Sequence, residues 1–193
     1  MRPISESEIR SSFVNCSKGE AQRLGLPRDF AEFSAWEDLD FLGWRDPGAP
    51  DRGYLVAERG AGGSGEVNGP DGLNGPDGLD GSGQARRLVG VSLRAGSGSG
   101  GGFTARSICS ICKTTRTGGG VALLSARRAG VSGRNGNTVG QYICSDLACS
   151  LYVRGKKVSA GSLLDETLDL DSRIARVRKG LDAFLTRVTG LAG

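Results

Sequence analysis

Residues 107–115 read SICSICKTT and residues 141–150 read QYICSDLACS; together they carry Cys109, Cys112, Cys144 and Cys149. The pattern is Cys-x2-Cys, a gap of 31 residues, then Cys-x4-Cys. A Cys-x2-Cys turn lets two thiolates converge on one ion at about 2.3 Å each, and a second pair completes the tetrahedron that zinc accepts. Iron–sulfur clusters also take four cysteines, so residue type alone leaves that option open, beside disulfides and buried thiols. The spacing favours one structural Zn2+ bound by Cys109, Cys112, Cys144 and Cys149. Four thiolates around one divalent ion leave a net formal charge of about −2. Arg106, Lys113 and Arg116 stand close enough in sequence to offset it.

The two stretches also suggest how the chain runs between them. Residues 121–125 (VALLS) read as a strand, Asn135-Gly136 as a hairpin turn, and residues 138–143 as the return strand that delivers Cys144. Ser145 and Asp146 are N-cap types for a helix that begins there and carries Cys149. A cysteine knuckle, a β-hairpin and a helix supplying the last ligand make a treble-clef arrangement, expected over residues 103–157.

Four ligands from protein leave no coordination position for water, so such a site is structural and not hydrolytic. The chain has no histidine, which removes the Ser-His-Asp triad and the imidazole base. No carboxylate pair stands out, and the expected function is non-enzymatic. The fifth cysteine, Cys16, has no partner at ligand spacing and reads as a small buried hydrophobe.

Charge is unevenly spread. The chain carries +4 overall, but residues 1–58 have 7 Lys+Arg against 11 Asp+Glu, whereas residues 101–157 have 9 against 1. The cysteine segment is therefore a basic island, and the N-terminal part is acidic. No apolar run approaches the roughly 20 residues of a transmembrane helix. The charged start MRPISESEIR has no apolar signal region. A cytoplasmic location, with no membrane partner, is the expectation. In a reducing cytosol, closely spaced cysteines hold metals more readily than they form disulfides.

Upstream, Ser5 with Glu8 and Ser17 with Glu20 have capping-box spacing. They predict a helix over residues 6–14 and a short second one stopped by Gly25 and Pro27. Trp36, Leu39, Phe41, Leu42 and Trp44 cluster before the turn Asp46-Pro47-Gly48 and read as core. Residues 54–58 and 87–93 read as strands that pair antiparallel across the stretch between them. That stretch, residues 60–84, is built of Gly, Asp, Asn, Ser and Pro and contains NGPDGL twice in tandem. It buries too little apolar surface to offset the entropy of ordering, and disorder is expected there. A Gly/Ser linker follows over residues 96–102. Near the end, Ile174, Val177, Leu181, Phe184, Leu185 and Val188 keep a 3.6-residue period. They predict an amphipathic helix within residues 163–189 that starts near Asp171 or Ser172. The fold class expected is α+β: short N-terminal helices and a β-hairpin packed with the treble clef and a C-terminal helix.

The run VGQYICSD at residues 139–146, with Cys149 after it and Cys109-x2-Cys112 before it, resembles the C-terminal treble-clef zinc finger of the elongation factor G-binding proteins. These are the FusB-type fusidic acid resistance proteins and their FBP-domain relatives. SFVNCSKGEAQRLGLP at residues 12–27 and WEDLDFLGWRDP at residues 36–47 resemble short actinobacterial FBP-domain proteins. The resemblance implies a single FBP-type domain over residues 1–193, split as 1–58, 60–84, 86–95, 96–102, 103–157 and 163–189. It implies metal ligation by the four cysteines, and binding to elongation factor G, as in resistance members that promote the factor's release from a drug-stalled ribosome. The resistance proteins carry a separate N-terminal helical bundle that this sequence lacks, so binding and resistance are separate expectations. For the partner surface the expected residues are Tyr152, Arg154, Lys156 and Lys157, with Arg127 and Arg128. Arg127, Arg128, Arg134, Arg154, Lys156 and Lys157 also suit phosphates, so binding to ribosomal or other nucleic acid stands as the alternative. Against it, residues 101–157 offer only Phe103, Tyr142 and Tyr152 for base stacking.

Overall fold

The computed structural model describes residues 1–27, 30, 34–60, 78–79, 85–96, 106–158 and 166–190. The NGPDGL repeats, apart from Gly78 and Leu79, and the linker beyond Gly96 lie outside the described residues, and with them most of the 60–84 stretch for which disorder is expected.

Both capping boxes form. The Ser5 side chain accepts from the Glu8 N–H while Glu8 reaches back to the Ser5 N–H, opening α1 (Glu6–Ser12); Ser17 and Glu20 open α2 (Lys18–Arg23) in the same way. Helix α1 is two residues shorter than predicted, because Phe13 is already extended at φ −69° and ψ 127°. Phe13 bridges to Gly90 instead of continuing the helix. A 3-10 turn at Trp36–Asp38 leads into β1 (Leu42–Asp46). Strand β1 was not anticipated, since its tryptophan-rich sequence reads as core without declaring a backbone.

Strands β2 (Ala49–Gly60) and β4 (Ala85–Ala95) pair antiparallel as expected, with Leu55 opposite Val91 and Tyr54 opposite Ser92. The two-residue β3 (Gly78–Leu79) adds to β4. Beyond it come β5 (Ser107–Ile108) and β6 (Thr115–Arg116), a separate two-stranded pair, then β7 (Val121–Arg127) and β8 (Thr138–Cys144). The main sheet runs β1-β2-β4-β7-β8, antiparallel throughout. Strand β4 meets β7 through Arg94 opposite Ser125 and Ala95 opposite Leu124. The hairpin of the cysteine segment is thus a continuation of the N-terminal sheet.

At β2 both faces of this sheet are covered. Gly53, Tyr54, Leu55, Val56 and Ala57 are all buried in succession; a strand with one wet face would alternate. Leu55 and Ala57 join a core with Val89, Val91, Leu93, Leu124, Ile143 and the four clustered cysteines. Val177, Leu181, Phe184, Leu185 and Val188 of α5 (Leu170–Thr189) complete it. Tyr54 and Val56 join the opposite core with Ile9, Leu24, Trp36, Leu42 and Trp44, beneath α1 and α2. Cys16 is half-buried at the edge of that second core, and burial pushes its thiol up to about 11.

One predicted turn changes. Asn135-Gly136 does not close a two-residue hairpin, because the short helix α3 (Gly130–Arg134) intervenes between β7 and β8 and Gly136 follows it at φ 87°. Helix α5 starts at Leu170, beside Asp171 and Ser172 as expected, and is capped by Asp169, whose carboxylate accepts from Ser172 N at 2.7 Å. Its C-cap is Gly190 in the left-handed region at φ 77°, as helix ends prefer.

The N-terminal half and the cysteine segment meet at Gly43 of β1. A Cβ there would stand 2.7 Å from Leu147 Cβ and 2.8 Å from the Leu147 carbonyl oxygen. Gly43→Ala is therefore expected to cost about 1–3 kcal/mol through overpacking, read as a lower urea midpoint. An unchanged midpoint would show that β1 and the Leu147 loop part easily.

Candidate metal centre

Three local devices deliver the four cysteines. Cys109 follows β5, and the chain turns so that the Lys113 N–H donates to the Cys109 carbonyl at 2.9 Å. Lys113 adopts φ 62° to complete the reversal. The Cys112 N–H then points at Cys109 Sγ at 3.5 Å. Cys144 ends β8. The next four residues form a tight loop in which Leu147 N donates to the Cys144 carbonyl at 2.8 Å and Leu147 sits at φ 58°. Helix α4 (Cys149–Val153) starts only at Cys149, with Ala148 as its cap residue. Ser145 and Asp146 therefore do not cap the helix as predicted. The left-handed Leu147 breaks the chain between them and α4, and Asp146 Oδ1 accepts from the Ala148 N–H at 3.3 Å inside the loop.

The four Sγ atoms lie within 4.8 Å of one another and all four residues are buried. Cys109 Sγ is 3.7 Å from Cys149 Sγ, and Cys112 Sγ is 3.6 Å from Cys144 Sγ. Tetrahedral bonds of about 2.3 Å to zinc place sulfurs about 3.8 Å apart, so the cage has the size of that ion. These separations are far beyond a disulfide bond of about 2.05 Å, and all the cysteines are free. The crowding of the four sulfurs also bears on their charge. Hydrogen bonds from Cys112, Cys144 and Cys149 hold the Cys109 thiolate well below the ordinary thiol range. Cys109 and burial push the Cys149 thiol well above it. Four sulfurs this close cannot all ionise unaided, and a divalent cation takes the place of their protons.

Around the cage the structure adds contacts that spacing does not reveal. Asp146 accepts from Tyr152 Oη at 2.6 Å and pairs with Arg116 at 3.2 Å and with Lys157 at 2.8 Å. Arg116 lies over the Tyr152 ring, 4.3 Å from its centroid. Burial works against the charge on Arg116, but the Cys144 sulfur and the Asp146 carboxylate outweigh it and raise its pKa. Arg176 of α5 donates to the Cys112 carbonyl at 3.2 Å. Gly180 lets the helix come close, since a Cβ there would stand 3.3 Å from Ile111 Cα.

The expected partner residues fall into two groups. Tyr152 is buried and bonded to Asp146. The Arg154 side chain is 9% exposed and forms a two-pronged pair with Asp40, at 2.7 and 3.1 Å. Neither offers a free surface group; both fasten α4 to its surroundings. Arg128 is half-buried, with Nη2 near Gly190 at the end of α5, where a cation suits the helix dipole. Lys156 and Lys157 are exposed, although they pair with Asp38 and Asp146, and Arg127 is exposed at the end of β7. In sequence, the acidic turn carrying Asp38 and Asp40 is only part of the acidic count of residues 1–58. Its role depends on partners more than 100 residues away in sequence, and no local pattern announces it.

The exposed apolar side chains of the cysteine segment also escaped the sequence reading. Tyr142 is 54% and Ile108 57% exposed. Leu123, also exposed, is the cross-strand partner of Tyr142 on the outer face of the β7–β8 hairpin. The Ser110 N–H donates to the Tyr142 carbonyl at 2.8 Å, which brings the cysteine knuckle alongside. A period-2 pattern with exposed large side chains in β7 and β8 was the available signal.

No helix among the described residues is long and apolar enough to cross a membrane. No curated protein and no solved structure matches the chain. The family described as FBP C-terminal treble-clef zinc-finger matches over residues 8–67 and 82–188, skipping both NGPDGL copies. That match, the buried cysteine cage and its sulfur separations assign one structural Zn2+ to the chain. With its knuckle, hairpin and helix in treble-clef order, the chain belongs to the FBP C-terminal treble-clef zinc-finger family.

Proposed function

We propose that this chain is a non-enzymatic cytoplasmic module that binds translation elongation factor G. In this reading Cys109, Cys112, Cys144 and Cys149 are the zinc ligands, and the docking surface is the outer face of the β7–β8 hairpin. The choice of partner rests on the likeness of VGQYICSD and the cysteine framework to the elongation factor G-binding proteins. The observation on this chain that supports docking is the exposed trio Ile108, Leu123 and Tyr142 beside the zinc knuckle, within a segment carrying 9 basic residues against 1 acidic. Interfaces favour an aromatic anchor with apolar neighbours, and a basic surround steers an acidic partner. Arg127, outward at the far end of the same hairpin opposite Thr138, extends that face; Lys156 and Lys157 add exposed charge elsewhere on the finger. A closed four-sulfur site gives the metal no position for substrate.

Pull-down of purified elongation factor G by the zinc-loaded chain, with and without nuclease, tests the reading. Binding should survive nuclease. Tyr142→Ala should weaken it roughly 30-fold, about 2 kcal/mol for loss of a central aromatic anchor, without lowering the melting temperature. Capture that vanishes with nuclease and is competed by free RNA would replace this reading with the nucleic-acid one.

A further inference from the structure

The zinc cage carries more negative charge than its metal offsets, and of the three nearby cations only one is folded against it. Arg106 and Lys113 are exposed, whereas the Arg116 side chain is only 13% exposed. Strand β6 sets Arg116 opposite Ser107, two residues before Cys109. Its guanidinium is fixed on two sides: by the ion pair with Asp146, two residues after Cys144, and by the face of Tyr152, three residues after Cys149. Gly120 leaves room for it, since a Cβ there would stand 2.7 Å from Arg116 Nε. That Nε is buried and has no hydrogen-bond partner, so the ion pair does not exhaust the group. Nor does Asp146 cancel its charge, because Asp146 also pairs with Lys157. Arg176 reaches the same knuckle, but it contacts the Cys112 carbonyl and is paired with Glu166.

We propose that Arg116 is the internal counter-cation of the cage, a positioning residue that retains zinc by offsetting thiolate charge, with Asp146 and Tyr152 holding its plane. Without it the excess negative charge of the four-thiolate cage has no buried cation beside it, the metal is held less tightly, and it leaves sooner. The proposal rests on the cage binding zinc and is independent of which partner the finger docks on.

The test follows zinc transfer from the full chain to excess chromophoric chelator for wild type, Arg116→Gln and Arg116→Lys, with Arg127→Gln as a control for overall charge. Wild-type zinc content is measured first, so an absent metal overturns the site itself, distinguishably from the role of Arg116. Release from Arg116→Gln should be roughly 10- to 100-fold faster, the usual scale for second-sphere changes. Arg116→Lys should stay within a few-fold of wild type, and Arg127→Gln should match it. In the cobalt-substituted proteins, the sulfur-to-cobalt charge-transfer band should move to lower energy in Arg116→Gln alone. Wild-type release from Arg116→Gln, or equal losses in the Gln and Lys variants, would overturn the proposal in favour of plain packing. If Arg116→Gln takes up no zinc, the Lys variant decides: retention supports the charge role, and equal failure overturns it.

Discussion

Cys149→Ser should lose zinc and most of the tertiary structure of the finger. Cys149 is fully buried at the first turn of α4, with its sulfur 3.7 Å from that of Cys109. The cage joins the knuckle, the end of β8 and the start of α4, three pieces that share little regular hydrogen bonding. Structural zinc sites contribute on the order of 10 kcal/mol to folding, comparable with the whole stability of a typical domain at about 5–15 kcal/mol. Even partial loss, on the order of 5 kcal/mol, should lower the melting temperature by roughly 10–20 °C in a chain of this size. The cage lies within the same core as Val177, Leu181 and Phe184, so α5 should loosen with it. Cys16→Ser, outside the cage, is the matched control and should move the melt by only a few degrees. Equal melting curves for Cys149→Ser and wild type would show that the cage is held by packing without metal.

Asp40→Ala should cost about 3–5 kcal/mol, the usual result of removing one partner of a buried ion pair. The Asp40 side chain is 0% exposed and takes both nitrogens of Arg154 together with Nε of Arg178, at 2.9 Å. Its own backbone N–H donates to Ser150 Oγ at 3.0 Å. One residue thus ties the acidic turn after Trp36 to α4 and to α5. The variant strands Arg154 inside the fold with a single remaining contact, to the Ser150 carbonyl at 3.1 Å. Removing that charge as well, in Asp40→Ala with Arg154→Met, should recover part of the loss, because an apolar pair carries no desolvation penalty. Urea unfolding of the two single variants and the double one measures the coupling. Strictly additive losses would mean that Asp40 and Arg154 act separately, against the geometry.

What the sequence disclosed, and what it hid, follows from the range of the interactions. The cysteine spacing is local chemistry, since two ligands on one turn must stand a fixed number of residues apart. The capping boxes at Ser5 and Ser17 are equally local, and both helix starts were legible. The pairing of β2 with β4 was legible because two short apolar runs flank one loop-like stretch. By contrast, the junction of β4 with β7, which makes the finger part of the main sheet, has no signature in either strand. Tyr152 and Arg154 read as surface groups because their type suggests exposure, but carboxylates at Asp146 and Asp40 draw them inward. The outer face of the hairpin was hidden for the opposite reason, since Leu123 and Tyr142 look like core until the strand register turns them outward.

The zinc-held finger stands or falls on a metal in the cage, and mass spectrometry of the intact chain under native conditions asks that question directly. The expected mass exceeds that of the metal-free chain by one zinc ion, and the excess disappears in Cys149→Ser. A chain carrying no metal, or carrying iron with inorganic sulfide, would contradict the zinc-held treble clef.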